Sequence, residues 1–145
     1  MQCVLQAPHV LDPHEFDALG DDALSAPAHR AVHLAVRTAG GLAGAGSAGE
    51  GWVERVSLAA SDDARAFVTE LAVSALPVVD DEGLRRLGRS LQIEVARRDL
   101  VRREADVHSR MQRLDAAGDA VGYMAALREA QVLVERRRAL ASELD

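Results

Sequence analysis

From Asp80 to Asp115 the chain reads DDEGLRRLGRSLQIEVARRDLVRREADVHSRMQRLD, a run with no proline and no turn cluster. As one helix it extends roughly 50 Å at 1.5 Å per residue, too long to stay within the width of a small globule. At about 100° per residue, Leu84, Leu87, Leu91 and Val95 fall on one side. Ile93, Leu100, Val107, Met111 and Leu114 fall nearly opposite. Two faces require two neighbours, so the first half is expected to cap a helical body and the second to pair with the C-terminal residues.

Directly after this run comes a turn signal, DAAGDAVG, with Gly118 inside it and Asp119 as an N-cap. Beyond it Tyr123, Leu127, Ala130, Val134, Ala141 and Leu144 keep near-heptad spacing. The pattern predicts a second helix folded back as an antiparallel hairpin.

The residues before Asp80 also read as helices. Pro8 stops CVLQA, Asp12 and Pro13 start a new turn, and Pro27 starts APAHRAVHLAVRTAGG, with Ala28, Val32, Ala35 and Val36 in phase. Trp52, Val53, Val56 and Ala60 repeat the period, as do Phe67, Val68, Leu71, Ala72 and Ala75 before Pro77. Nothing alternates with a period of two over a useful length. The fold class is all-α: an amino-proximal helical bundle over 1–100, including the first half of the long helix, and a helical hairpin over 101–145.

Charge narrows the function. All seventeen basic residues are arginine, and asparagine is absent with lysine, the codon signature of a GC-rich genome. Residues 1–79 hold four Arg against ten Asp and Glu, and residues 80–145 hold thirteen against thirteen. An acidic body lacks the electrostatic footprint of a duplex-binding protein, so little direct nucleic-acid binding is expected. The single Cys3 excludes an internal disulfide and a cysteine-rich zinc site. No apolar run approaches a membrane span, and MQCVLQAPH lacks the build of a signal peptide. A cytoplasmic location without membrane contact is the expectation.

Several local patterns suggest chemistry, and each has a plainer explanation. GAGSAG, Gly44 to Gly49, spells a dinucleotide fingerprint. That fingerprint needs a buried strand before it, and here a helix precedes it, so it reads as a loop. His29 and His33 stand one turn apart, but Arg30 follows the first where a zinc hydrolase has glutamate, and no third ligand is apparent. The acidic pairs Asp21/Asp22, Asp62/Asp63 and Asp80/Asp81 each precede a helix and are expected to cap it. Ser47 and Ser61 have no histidine in a recognisable motif. Arg97/Arg98, Arg102/Arg103 and the ERRR run at 135–138 are interleaved with Glu94, Asp99, Glu104 and Asp106, the pattern of solvated, ion-paired helix faces. No catalytic residue, metal site or cofactor is expected.

Four phrases taken in order, CVLQAPHVLDPHEFDAL, APAHRAVHLAV, FVTELAVSALP and LVERRRAL, resemble the C-terminal helicase-binding domain of bacterial replicative DNA primase in its actinobacterial form. The family's fold, a helical bundle linked by one long helix to a hairpin, agrees with the periodicity. It is also similar to the amino-terminal domain of the replicative helicase. The resemblance implies a non-catalytic adaptor that docks primase onto the amino-terminal region of the helicase and modulates it during primer synthesis. It also admits contact with single-stranded-DNA-binding protein. Polymerase chemistry would belong to a zinc-binding domain and a metal-dependent core elsewhere in a longer protein. Partner-binding candidates chosen by element and exposure are Tyr123, Met124, Leu127, Gln131, Val134 and Arg138 on the last helix, with Arg110 and Arg113 near the turn. The competing readings are an arginine-rich hairpin that binds nucleic acid or the single-strand-binding protein, and a small metal-binding protein using His29 and His33.

Overall fold

The computed structural model describes residues 1–48, 51–77 and 80–142, and every regular element among them is helical. The helices are α1 (Gln2–Gln6), α2 (Pro13–Asp17), α3 (Pro27–Thr38), α4 (Ala45–Ala48), α5 (Trp52–Ala59), α6 (Asp62–Val73), α7 (Asp81–Ala116) and α8 (Ala120–Ser142). Short 3-10 turns lie at Pro8–Val10 and Leu42–Gly44. The chain divides into two compact units, Met1–Ala96 and Arg97–Asp145, and α7 contributes residues to each.

In the first unit α3 packs on α5 and α6, α5 packs on α6, and α1 lies against both α5 and α6. The apolar period explains this layer: Val32 and Val36 of α3, Val56 of α5 and Val68 of α6 are fully buried. Two side chains tie α1 down. The Trp52 indole donates to the Val4 carbonyl at 2.9 Å, and the Gln6 amide donates to the carbonyls of Leu71 at 2.5 Å and Ser74 at 2.7 Å. Cys3, Ala7 and Val10 form a further cluster, covered by Leu11, Leu76 and Leu84. The first part of α7 closes against the opening helices at Gly88, where a Cβ would stand 2.9 Å from Val10 Cγ2 and 3.2 Å from the Val10 carbonyl oxygen. Buried Gln92 fixes the register: its Oε1 accepts from Asp12 N–H at 3.0 Å and its Nε2 donates to the Asp12 carbonyl at 2.6 Å. Arg89 adds a 2.9 Å ion pair to Glu15. Leu84, Leu87 and Val95 are half-buried on this face and Leu91 stays half-exposed, whereas Ile93 is buried.

Helix ends follow their capping chemistry. The Asp12 carboxylate accepts from Glu15 N–H at 3.0 Å and Asp80 from Gly83 N–H at 2.8 Å. Asp21 and Asp22 depart from the capping expectation: they reach sideways to pair with Arg37 and Arg30 of α3, whose N-cap is Ala26. Asp62 lies in the first turn of α6 and pairs with Arg65. α6 also stops at Val73, ahead of the expected Ala75, because Ser74 is extended and its hydroxyl donates back to the Glu70 carbonyl. α3 ends in a Schellman pair, Gly41 N–H to the Val36 carbonyl and Gly40 N–H to the Arg37 carbonyl, with φ of 108° at Gly40.

In the second unit α7 and α8 form an antiparallel pair joined by the same device. Gly118, at φ 69°, donates to the Asp115 carbonyl and Asp119 to the Leu114 carbonyl, and the Asp119 carboxylate then accepts from Gly122 N–H at 2.9 Å to start α8. The seam is narrow: Leu100 and Val107 from α7, and Ala126, Leu133 and Leu140 from α8, each a heptad apart, are its buried residues. This shifts the expected α8 face by about one residue. Tyr123, Leu127, Ala130 and Val134 are shoulders of the seam, Ala141 is exposed, and Leu144 lies outside the described residues. Ion pairs Arg110–Glu129 and, at 3.0 Å, Arg137–Glu104 match the antiparallel register.

Candidate functional site

The surface of α8 is organised in strips, because residues three and four apart share a face. Met124, Leu127, Gln131, Val134 and Arg138 form one continuous strip beside the seam. Leu127 and Val134 are half-buried in it, and Met124, Gln131 and Arg138 are exposed. Tyr123 sits at its inner edge, half-buried. Such a strip offers apolar contact next to a guanidinium, the composition of a protein-docking surface. Arg110 does not join it. Its guanidinium is held by Glu129, which lies on the opposite edge of α8. Arg113 is exposed in the last turn of α7, on the same edge as Arg110.

The arginines near the boundary of the units are engaged with carboxylates. Arg102 pairs with buried Asp99 at 2.8 Å and with Asp106 at 3.4 Å, and Arg103 approaches Asp99 at 3.9 Å. A buried carboxylate with guanidiniums one turn along the same helix is a structural clamp.

His29 and His33 are ring-packing residues in this fold. His33 is buried with its ring edge-on to Phe16, centroids 5.3 Å apart, and His29 stacks on Phe67 at 5.4 Å. Burial, and secondarily the positive chain terminus, hold the His29 pKa below 6.5. Among the described residues no group of three or more His, Cys, Asp or Glu is placed to hold a metal ion. The amides near the glycine-rich loop are occupied as well: Leu42 and Ala43 N–H donate to the Asp17 carboxylate at 2.6 and 3.1 Å. Gly49 lies outside the described residues. An apolar cleft of about 170 Å³ opens between α7 and the amino-terminal helices, lined by Cys3, Phe16, Leu19, Leu87 and Leu91. The rest of its lining is mostly apolar, and Gln92, one of its few polar members, is spent on the Asp12 backbone.

Sequence reasoning missed two exposed apolar features. Leu58 and Val73 are 75% and 80% exposed on α5 and α6, and Val121 and Val132 are 83% and 61% exposed on the outer side of α8. A signal was present: each is a large aliphatic residue out of phase with the buried period of its own helix.

Relatives agree with the architecture. DNA primase of Streptomyces coelicolor is 35% identical over 136 residues, which is 92% of this chain and 21% of that enzyme. The primases of Mycolicibacterium smegmatis and Mycobacterium tuberculosis are 32% and 31% identical over 94% and 97% of the chain, again 21–22% of their length. The chain thus spans about a fifth of the curated relatives it matches. No protein-family model matches the sequence. Among solved structures, the helicase-binding domain of primase from Mycobacterium tuberculosis superimposes with a TM-score of 0.74 at 31% identity, over 97% of this chain and 86% of that domain.

The chain belongs to the primase helicase-binding domains. What it shares with primase is this helical domain and not the catalytic core. No helix among its described residues is long and apolar enough to cross a membrane.

Proposed function

We propose that this chain docks a primase onto the replicative helicase of its cell, through the amino-terminal region of the helicase, and modulates it during primer synthesis. The observation that carries this reading is the likeness, over nearly the whole chain, to a domain whose described role is helicase binding. Docking is assigned to the α8 strip Met124, Leu127, Gln131, Val134 and Arg138, with Tyr123 at its inner edge. Arg110 and Arg113 supply charge from the other edge and steer approach more than they anchor it. Single-stranded-DNA-binding protein is a second partner of the same fork assembly. Replication of the bacterial chromosome places the work in the cytoplasm, and no cofactor takes part.

The test is calorimetric titration of the whole chain with helicase from the same organism. Met124→Asp and Arg138→Asp are exposed changes that leave the seam intact, and each is expected to weaken binding about tenfold, or 1.4 kcal/mol. Absence of binding by the unaltered chain would refute the function. Unchanged binding by both variants would move the docking surface off this strip.

A further inference from the structure

We infer that the groove between α5 and α6 is a docking site for the outer face of α8 from a second copy of this chain. Leu58 and Val73 project into solvent at the groove, and half-buried Val53 and Ala72 form its floor. The lining arginine is already spent: Arg65 donates to the carbonyls of Ser57 at 3.2 Å and Ala60 at 3.4 Å and pairs with Asp62 at 3.1 Å. Glu54 lines the groove together with Ser57 and Thr69, and Asp63 and Glu70 are exposed elsewhere on α6. Their exposed carboxylates make no hydrogen bond or ion pair among the described residues. The groove therefore joins aliphatic side chains to the unpaired carboxylate of Glu54, and it calls for an amphipathic helix with arginine or lysine beside aliphatic residues.

The chain itself carries such a helix. On the side of α8 away from the seam, Val121, Ala125, Val132 and Ala139 line up in exposed positions, with Arg128 among them and Arg136 alongside. Neither arginine makes an ion pair among the described residues, and Glu135 is the carboxylate on that side. From Val121 to Val132 the stripe covers about 16 Å, against about 18 Å for the twelve residues of α6. Leu58, Val73, Val121 and Val132 are all more than half exposed. Arg128 and Arg136 beside aliphatic residues on α8 match the Glu54 carboxylate beside aliphatic residues in the groove, and a second copy brings them together. The contact is heterologous, patch to different patch. It uses a face of α8 other than the strip assigned to the helicase, so it stands or falls independently of that assignment.

Analytical ultracentrifugation of the whole chain, without helicase, tests this over about two decades of concentration. The unaltered chain should rise above monomer mass with concentration, and less so in 1 M salt, where the Debye length is about 3 Å. Leu58→Asp removes the groove and Val132→Asp removes the stripe. Both positions are exposed, so far-UV circular dichroism should show unchanged helix content, and each variant alone should stay monomeric. An equimolar mixture of the two variants should associate again and stop at two chains, because it holds one intact groove and one intact stripe per pair. A monomer at every concentration, association that survives both variants, or a mixture that stays monomeric overturns the proposal. The last result would also identify a symmetric contact or a foreign basic helix as the occupant.

Discussion

The two units use apolar residues differently. In Met1–Ala96 several helices converge on shared side chains, so Val32, Val36, Val56 and Val68 are each enclosed from more than one direction, and Trp52 reaches across to α1. In Arg97–Asp145 the two helices meet along a single line of buried residues, and ion pairs flank it. A line one residue wide encloses little, and exposed ion pairs contribute only about 0.2–1 kcal/mol each. The bundle is thus built for stability, and the hairpin leaves most of its surface free for partners.

The largest expected effect is in the bundle. Trp52→Ala removes a side chain 3% exposed and leaves the Val4 carbonyl without its donor; the loss should be about 3–5 kcal/mol, much of the stability of a small domain. A urea titration followed by far-UV circular dichroism should show the bundle melting well before the unaltered chain. A change under about 1 kcal/mol would show that the indole is peripheral, against its burial.

Leu133→Ala should cost less, about 2 kcal/mol, the low end for a buried leucine, because the open sides of a two-helix seam can close over the gap. The chain has one tryptophan, Trp52, in the bundle. Its emission midpoint should therefore stay in place in L133A while amide exchange in α8 accelerates. If both shifted together, the two units would be one cooperative block and the contrast between bundle and hairpin would fail.

How far this division is readable in sequence depends on which signal dominates. Helix starts at Asp12, Pro27, Asp80 and Asp119 are local chemistry, and the structure places caps or first turns there. The bundle core is readable too, since a wide apolar face tolerates an error in phase: Val32, Val36, Val56 and Val68 are buried as their period predicts. The hairpin seam is harder. On a helix as rich in alanine and valine as α8, apolar residues lie on nearly every side, and period alone favours Leu127 and Val134 over Ala126, Leu133 and Leu140. Asp21 and Asp22 escape a sequence reading for a different reason, because their partners Arg37 and Arg30 are brought near by the turn before α3 and not by helix spacing. The docking strip inherits the seam's ambiguity: its residues are identifiable, but their split into shoulders and exposed contacts needs the packed pair.

A smaller effect sharpens the comparison at the hairpin turn. Asp119→Ala leaves Gly122 N–H without its acceptor and should cost about 1 kcal/mol. Faster amide exchange in the first turn of α8, with the Trp52 midpoint unmoved, is the expected outcome. Asp119→Ser should recover most of the loss, since a hydroxyl also caps.

The smallest effect is a pH dependence confined to the bundle. His29 stacks on Phe67, and its pKa is held below 6.5 by burial first and by the chain amino terminus second. The folded state therefore favours neutral imidazole, while the unfolded chain takes up its proton near pH 6.5. Between the lowered value and 6.5 the unfolded state binds more protons, so stability rises with pH through that window. The contribution is fully present above the window and is lost as pH falls through it. Urea midpoints read from Trp52 emission between about pH 8 and about pH 5 should show this slope. His29→Gln, which keeps a planar polar group without the titration, should reduce it to the part that the Met1 amino group contributes, since burial also lowers the pKa of that group. Leu133→Ala, in the other unit, should leave it as it was, and a slope that H29Q left intact would assign the acid sensitivity to a different group.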